Sequence, residues 1–126
     1  MDKQIINTSN APAPIGPYNQ AIKTGNLLFI SGQVAIKPGT NEIANADIIE
    51  ETHQVMQNLK SILAEAEMDF SHVIKTTIFL SDMELFGQVN TIYAKYFNSD
   101  FPARETVAVK GLPKNANVEI SMIAAL

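Results

Sequence analysis

DIIEETHQVMQNLKSILAEA, Asp47 to Ala66, and after a short break VIKTTIFL, Val73 to Leu80, form the stretch that decides the fold class. In the first segment Ile48, Val55, Leu59, Ile62 and Ala66 recur at helical spacing, with Ile49, Met56 and Leu63 widening the stripe. Glu51, Gln54, Asn58, Lys60 and Glu65 are expected on the opposite, polar face. Asp47 followed three residues later by Glu50 reads as a capping box. The second segment is β-branched and aromatic, the composition of a buried strand.

Upstream, Gly25-Asn26 separates Ala21-Ile22 from Leu27-Leu28-Phe29-Ile30, which predicts a hairpin from Ala21 to Ser31 with positive φ in its tight turn. Pro38-Gly39-Thr40-Asn41 is a further turn, and Pro12, Pro14 and Pro17 keep the segment before the hairpin out of a helix. Downstream, Asp82 introduces a second helix expected from Glu84 to Phe97, with Leu85, Val89, Ile92, Tyr93 and Tyr96 on its apolar side. Strands are expected at Glu105 to Val109 and Val118 to Ala125. The order hairpin, helix, strand, helix, strand, strand predicts an α+β domain, residues 1–126, with two helices on one face of a mixed sheet. Ile30, Val107 and Ile123 make the other face incompletely polar, and a symmetric partner would cover it.

Composition narrows the function. A length of 126 residues is enough for one hydrophobic core. The formal charge of −4 argues against a nucleic-acid partner, since phosphate backbones are bound by displacing counterions with Lys and Arg. With no cysteine and with His53 and His72 far apart, no metal ligand set is expected. The polar start and the lack of a long apolar run point to neither a signal peptide nor a membrane span, so the expected setting is the cytoplasm.

Chemistry is concentrated near the C-terminus. Arg104 follows Phe101-Pro102-Ala103, and Glu119 lies in Val118-Glu119-Ile120. A guanidinium fork holds a carboxylate by two parallel hydrogen bonds, and a glutamate beside it handles a proton or a water. The pair suggests a site for a small organic acid. Strand alternation sets Glu119, Ser121 and Ile123 on one face and Ile120, Met122 and Ala124 on the other; if the second set meets the helices, Glu119 faces the partner.

Several motifs in order extend the reading: Ile15-Gly16-Pro17-Tyr18-Asn19-Gln20-Ala21, Gly25 to Gln33, Lys75 to Met83, Phe86 to Tyr93, Phe101-Pro102-Ala103-Arg104, Leu112-Pro113 and Val118-Glu119-Ile120. Together the chain resembles the RidA/YjgF family of enamine/imine deaminases over nearly its whole length. The resemblance implies a chorismate-mutase-like fold and a homotrimer with a central barrel and a cleft at each subunit interface. It also implies cofactor-free hydrolysis of 2-imino acids or their enamine tautomers, such as 2-iminobutanoate and 2-iminopropanoate, to 2-keto acids and ammonia. The alternative within the family is a regulatory protein that binds a 2-keto acid or amino acid in the same cleft without turning it over. An endoribonuclease reading attached to relatives fits poorly with the acidic charge and the lack of a basic aromatic stripe.

By that resemblance Arg104 grips the substrate carboxylate, helped by the Thr106 N–H, and Glu119 activates water and carries a proton. Tyr18, stiffened by Gly16-Pro17, would hydrogen-bond substrate or water, and Ser31-Gly32 would let backbone approach the ligand. Asn90, a poor helix former inside the second helix, would lie near the cleft. The plain alternatives are an Arg104 salt bridge to Glu105 or Glu119, a solvated Glu119, a packed Tyr18 and a surface Asn90. Two departures from the family pattern are Arg104-Glu105-Thr106, where many members have a small residue and then Cys, and Ser121, where a second Glu is common. Alternation would send Glu105 to the face opposite Arg104.

Overall fold

The computed structural model describes residues 2–126. Its strands are β1 (Gln4–Ile6), β2 (Ala21–Thr24), β3 (Leu27–Gln33), β4 (Val73–Leu80), β5 (Ala103–Ala108) and β6 (Val118–Ala125); its helices are α1 (Ile48–Glu65) and α2 (Phe86–Ala94). The sheet order is β1-β2-β3-β6-β4-β5. Only β4 and β5 pair in parallel, with α2 as the crossover between them. Both helices cover one face, as the sequence predicts. The core is formed by Val55, Met56, Leu59, Ile62 and Leu63 of α1 against Leu28, Ile78, Leu80, Ile120 and Met122 of the sheet.

The β2–β3 hairpin closes through Gly25-Asn26, with Gly25 alone at positive φ, +59°. A glycine at the first central position matches the twist of the flanking strands. Further along β3 the pairing with β6 shifts between Ile30 and Gln33, so Ser31 and Gly32 form a bulge. Asp47 caps α1, its carboxylate accepting from Glu50 N at 2.7 Å.

Four expectations change. Glu51 and Asn58 are not on a polar helix face; both are 0% exposed. Asn58 Nδ2 donates to Val34 O (3.2 Å), which also accepts from Ile36 N, and to Ile36 O (3.0 Å), so it serves carbonyls of the irregular segment after β3. Ile30 is buried against the helices at 4% exposure, and Phe29, at 43%, takes its place on the open face, which also exposes Ile5 and Val107 on other strands. The second helix is shorter than expected. It is preceded by a 3₁₀ turn at Met83–Leu85 capped by Asp82, and after Ala94 the N–H groups of Tyr96 and Phe97 reach only three residues back. Strand β5 begins at Ala103, which takes Arg104 into the sheet. Strand β1, three residues long, carries too short an alternation to be read from sequence.

Candidate active site

Glu119 lies in the middle of an arrangement made by the β3 bulge. It projects from the open face of β6 and lines a cavity of about 390 Å³ with Pro12, Ile15, Tyr18, Gly32 and Pro113. A Cβ on Gly32 would sit 2.8 Å from the Glu119 Cδ, so the carboxylate lies where only glycine leaves room. Burial pushes the Glu119 carboxyl above its usual range. Among the described residues it has no ion-pair partner.

The segment that walls this cavity is held from beneath by Gln20, which is 1% exposed. Its Nε2 donates to Thr8 O and Pro12 O, each at 2.9 Å, and its Oε1 accepts from Thr8 N at 2.7 Å. Ser31 is engaged in the same segment: its Oγ donates to Asn19 O at 2.7 Å and its N–H to Gln20 O at 2.9 Å. Tyr18 is exposed at the rim, its hydroxyl accepting from Ile15 N at 3.4 Å.

Arg104 is built into a second, separate place. It projects from β5 toward α2, and its Nη1 donates to Asn90 Oδ1 at 2.7 Å. The guanidinium carbon stands 5.2 Å from the Tyr93 ring centroid and 5.6 Å from that of Phe86. Phe86, Asn90 and Tyr93 fall at helical i, i+4, i+7 spacing, so one stripe of α2 holds the guanidinium. Tyr93 and Asn90, with Phe101 and Pro102, line the cavity of about 490 Å³ around Arg104. No carboxylate pairs with Arg104 among the described residues. Glu105 points to the other face, as alternation predicts, and pairs with Lys75 Nζ at 3.4 Å. The Thr106 hydroxyl is buried without a partner. Val109 N–H bonds Leu80 O across the ladder, so alternation turns the Thr106 N–H to the free edge of β5.

The structure therefore sorts the expected residues into two groups. Tyr18, Ser31, Gly32 and Glu119 share one cavity; Arg104 and Asn90 line another, and Thr106 follows two residues after Arg104 on the same face of β5. Within one chain Arg104 and Glu119 do not stand side by side. They project from opposite faces of the sheet, β4 runs between their strands, and their partners on β4, Thr76 and Phe79, are three residues apart. Strand spacing and rise put their Cα atoms roughly 14 Å apart. Phe86, Tyr93 and Gln20 stand within the sequence motifs but carry no site role there, although the helical spacing of the first two around Asn90 is there to be read.

A family profile described as endoribonuclease L-PSP matches residues 8–126. A RutC family protein of Pyrococcus horikoshii is 51% identical over 122 residues, 97% of this chain and 97% of that protein. The chloroplastic Reactive Intermediate Deaminase A of Arabidopsis thaliana is 46% identical over 124 residues, 98% of this chain and 66% of that protein. The crystal structure of E. coli TdcF with bound serine superposes with a TM-score of 0.93 at 36% identity, covering 98% of each chain. With matching motifs, fold and near-complete coverage, the chain belongs to the endoribonuclease L-PSP family, the RidA/YjgF family that its sequence resembles.

Proposed function

We propose that the protein is a hydrolytic deaminase of 2-imino acids, 2-iminobutanoate and 2-iminopropanoate among them, acting as a homotrimer. The observation that carries this reading is Glu119, a carboxylate with a raised pKa and no ion-pair partner among the described residues, lining a cavity. The deaminase name of the Arabidopsis relative supports it at the level of the family.

Two copies of the chain are needed. The carboxylate carbon and the imine carbon of a 2-imino acid are directly bonded, whereas Arg104 and Glu119 of one chain face opposite sides of the sheet. A cleft that sets Arg104 of one protomer against the Glu119 cavity of its neighbour resolves this. Exposed Ile5, Phe29 and Val107 on the open face supply an apolar surface for that association.

In the cleft, Arg104 and the Thr106 N–H hold the substrate carboxylate, with Asn90, Phe86 and Tyr93 fixing the guanidinium. The substrate enters as the protonated imine, and Glu119 takes a proton from water as its oxygen attacks the imine carbon, giving a neutral carbinolamine. Glu119 returns that proton to the amino nitrogen, the C–N bond breaks as the C=O bond forms, and the departing ammonia takes the hydroxyl proton. Protonated imine and water become 2-keto acid and ammonium. Tyr18 hydrogen-bonds the water or substrate at the rim. Orientation of two reactants, imine and water, and one base supplies the acceleration.

The test is a coupled assay. A threonine dehydratase generates 2-iminobutanoate, and semicarbazide captures imine that has not been hydrolysed. Faster keto-acid release that is lost in Arg104→Ala supports the deaminase; no effect of the folded protein on threonine- or serine-derived imines contradicts it. The serine bound to TdcF favours a second reading, amino-acid or keto-acid binding without turnover, which that negative result would support.

A further inference from the structure

Glu51 is a fully buried acidic side chain on a helix that otherwise turns such groups outward. A carboxylate at that depth is costly unless donors satisfy it. Here the donors are Asn117 N (2.7 Å), Asn117 Nδ2 (3.0 Å) and Val118 N (3.3 Å). Asn117 and Val118 are the two residues that immediately precede Glu119. The end of β4 holds the same point from the other side: Ser81 N donates to Asn117 O and Ser81 Oγ to Asn117 Oδ1, each at 2.9 Å.

The chain arriving at this joint is strained. In the turn Pro113–Asn115, Lys114 and Asn115 have φ of 57° and 54°, the left-handed region that residues with a side chain enter at a cost. Such a turn persists when its ends are fixed. Its first residue, Pro113, lines the Glu119 cavity. Its exit is the segment that Glu51 clamps. The Glu119 carboxylate thus occupies the space that Gly32 leaves open, and the backbone leading to it is held by Glu51.

We propose that Glu51 is a positioning residue for Glu119, acting through Asn117 and Val118 to set where the Glu119 carboxylate stands in its cavity. This rests on the reading of Glu119 as the base. A slip at Val118 rotates the strand and swings the next side chain, while the Arg104 half of the cleft, on β5, is untouched.

Glu51→Gln keeps shape and volume but turns one acceptor into a donor facing an N–H. In the imine assay it is expected to lower kcat about tenfold with KM within about twofold, since misplacing a reacting group costs rate rather than carboxylate binding. The acid limb of the kcat–pH profile is expected to move toward the ordinary carboxylate range as Glu119 becomes more hydrated; Tyr18 is the other titratable group lining the cavity. Thermal denaturation reports the folded fraction. Parental kcat with an unmoved acid limb, or a loss that only follows the folded fraction, overturns the inference. Where Glu51→Gln does not fold, Asn117→Ala leaves both backbone donors in place and is expected to give the same kcat–KM split. An acid limb that survives in Glu119→Gln overturns the reading of Glu119 itself and this inference with it.

Discussion

Arg104 and Glu119 owe their chemistry to what surrounds them. The guanidinium lies against two aromatic rings and one amide and keeps its charge for an anion. Arg104→Lys retains the charge but loses the planar fork and its fit against the rings, so KM for the imine is expected to rise at least about tenfold in steady-state assays. Glu119 has the opposite setting, a carboxyl raised by burial. The acid limb of kcat should therefore lie above the ordinary carboxylate range and vanish in Glu119→Gln. Its sign for stability follows from linkage. The folded state keeps this proton to a higher pH than the unfolded state, so Glu119 weakens the fold as pH rises through the raised value. The stability gained by Glu119→Gln should grow from acid to neutral pH, as followed by thermal melts. Gly32→Ala should cut kcat about a hundredfold while the protein still folds, because a methyl there takes the space of the Glu119 carboxylate.

At the scale of elements, the helical stripe of Asp47 to Ala66 and the β-branched run of Val73 to Leu80 were legible because burial writes periodicity into sequence. What escaped is polar and buried. Glu51 and Asn58 look like helix-surface residues until the chain after β3 and the chain before β6 fold over α1 and need their hydrogen bonds. Periodicity carries no record of such long-range polar demands. Asn58→Ala takes the Nδ2 donor from two carbonyls, leaving Ile36 O unpaired while Val34 O keeps the Ile36 N–H, and is expected to destabilise the protein by about 1–3 kcal/mol in denaturant titrations. A surface asparagine would give a change within about 0.5 kcal/mol. The site residues were readable one by one from their motifs, yet their grouping was not. Arg104 and Glu119 fall on opposite faces because they pair with Thr76 and Phe79 of β4, a register that no single motif records.

Across the whole molecule, the sheet keeps one face against α1 and α2 and leaves Phe29 and Val107 exposed on the other, while it holds the two halves of the chemistry apart. Association makes sense of both features. Equilibrium sedimentation should give the mass of three chains of 13.8 kDa, independent of concentration over the micromolar range. The direct measurement is complementation. Arg104→Ala and Glu119→Gln, each reduced to a small residual activity alone in the imine assay, are unfolded, mixed in equal amounts and refolded together. If each cleft takes Arg104 from one protomer and Glu119 from its neighbour, random assembly leaves about a quarter of the clefts intact, and activity should return to about a quarter of the parental value. A mixture as inactive as its two components, with mixed oligomers shown to be present, would contradict the shared site.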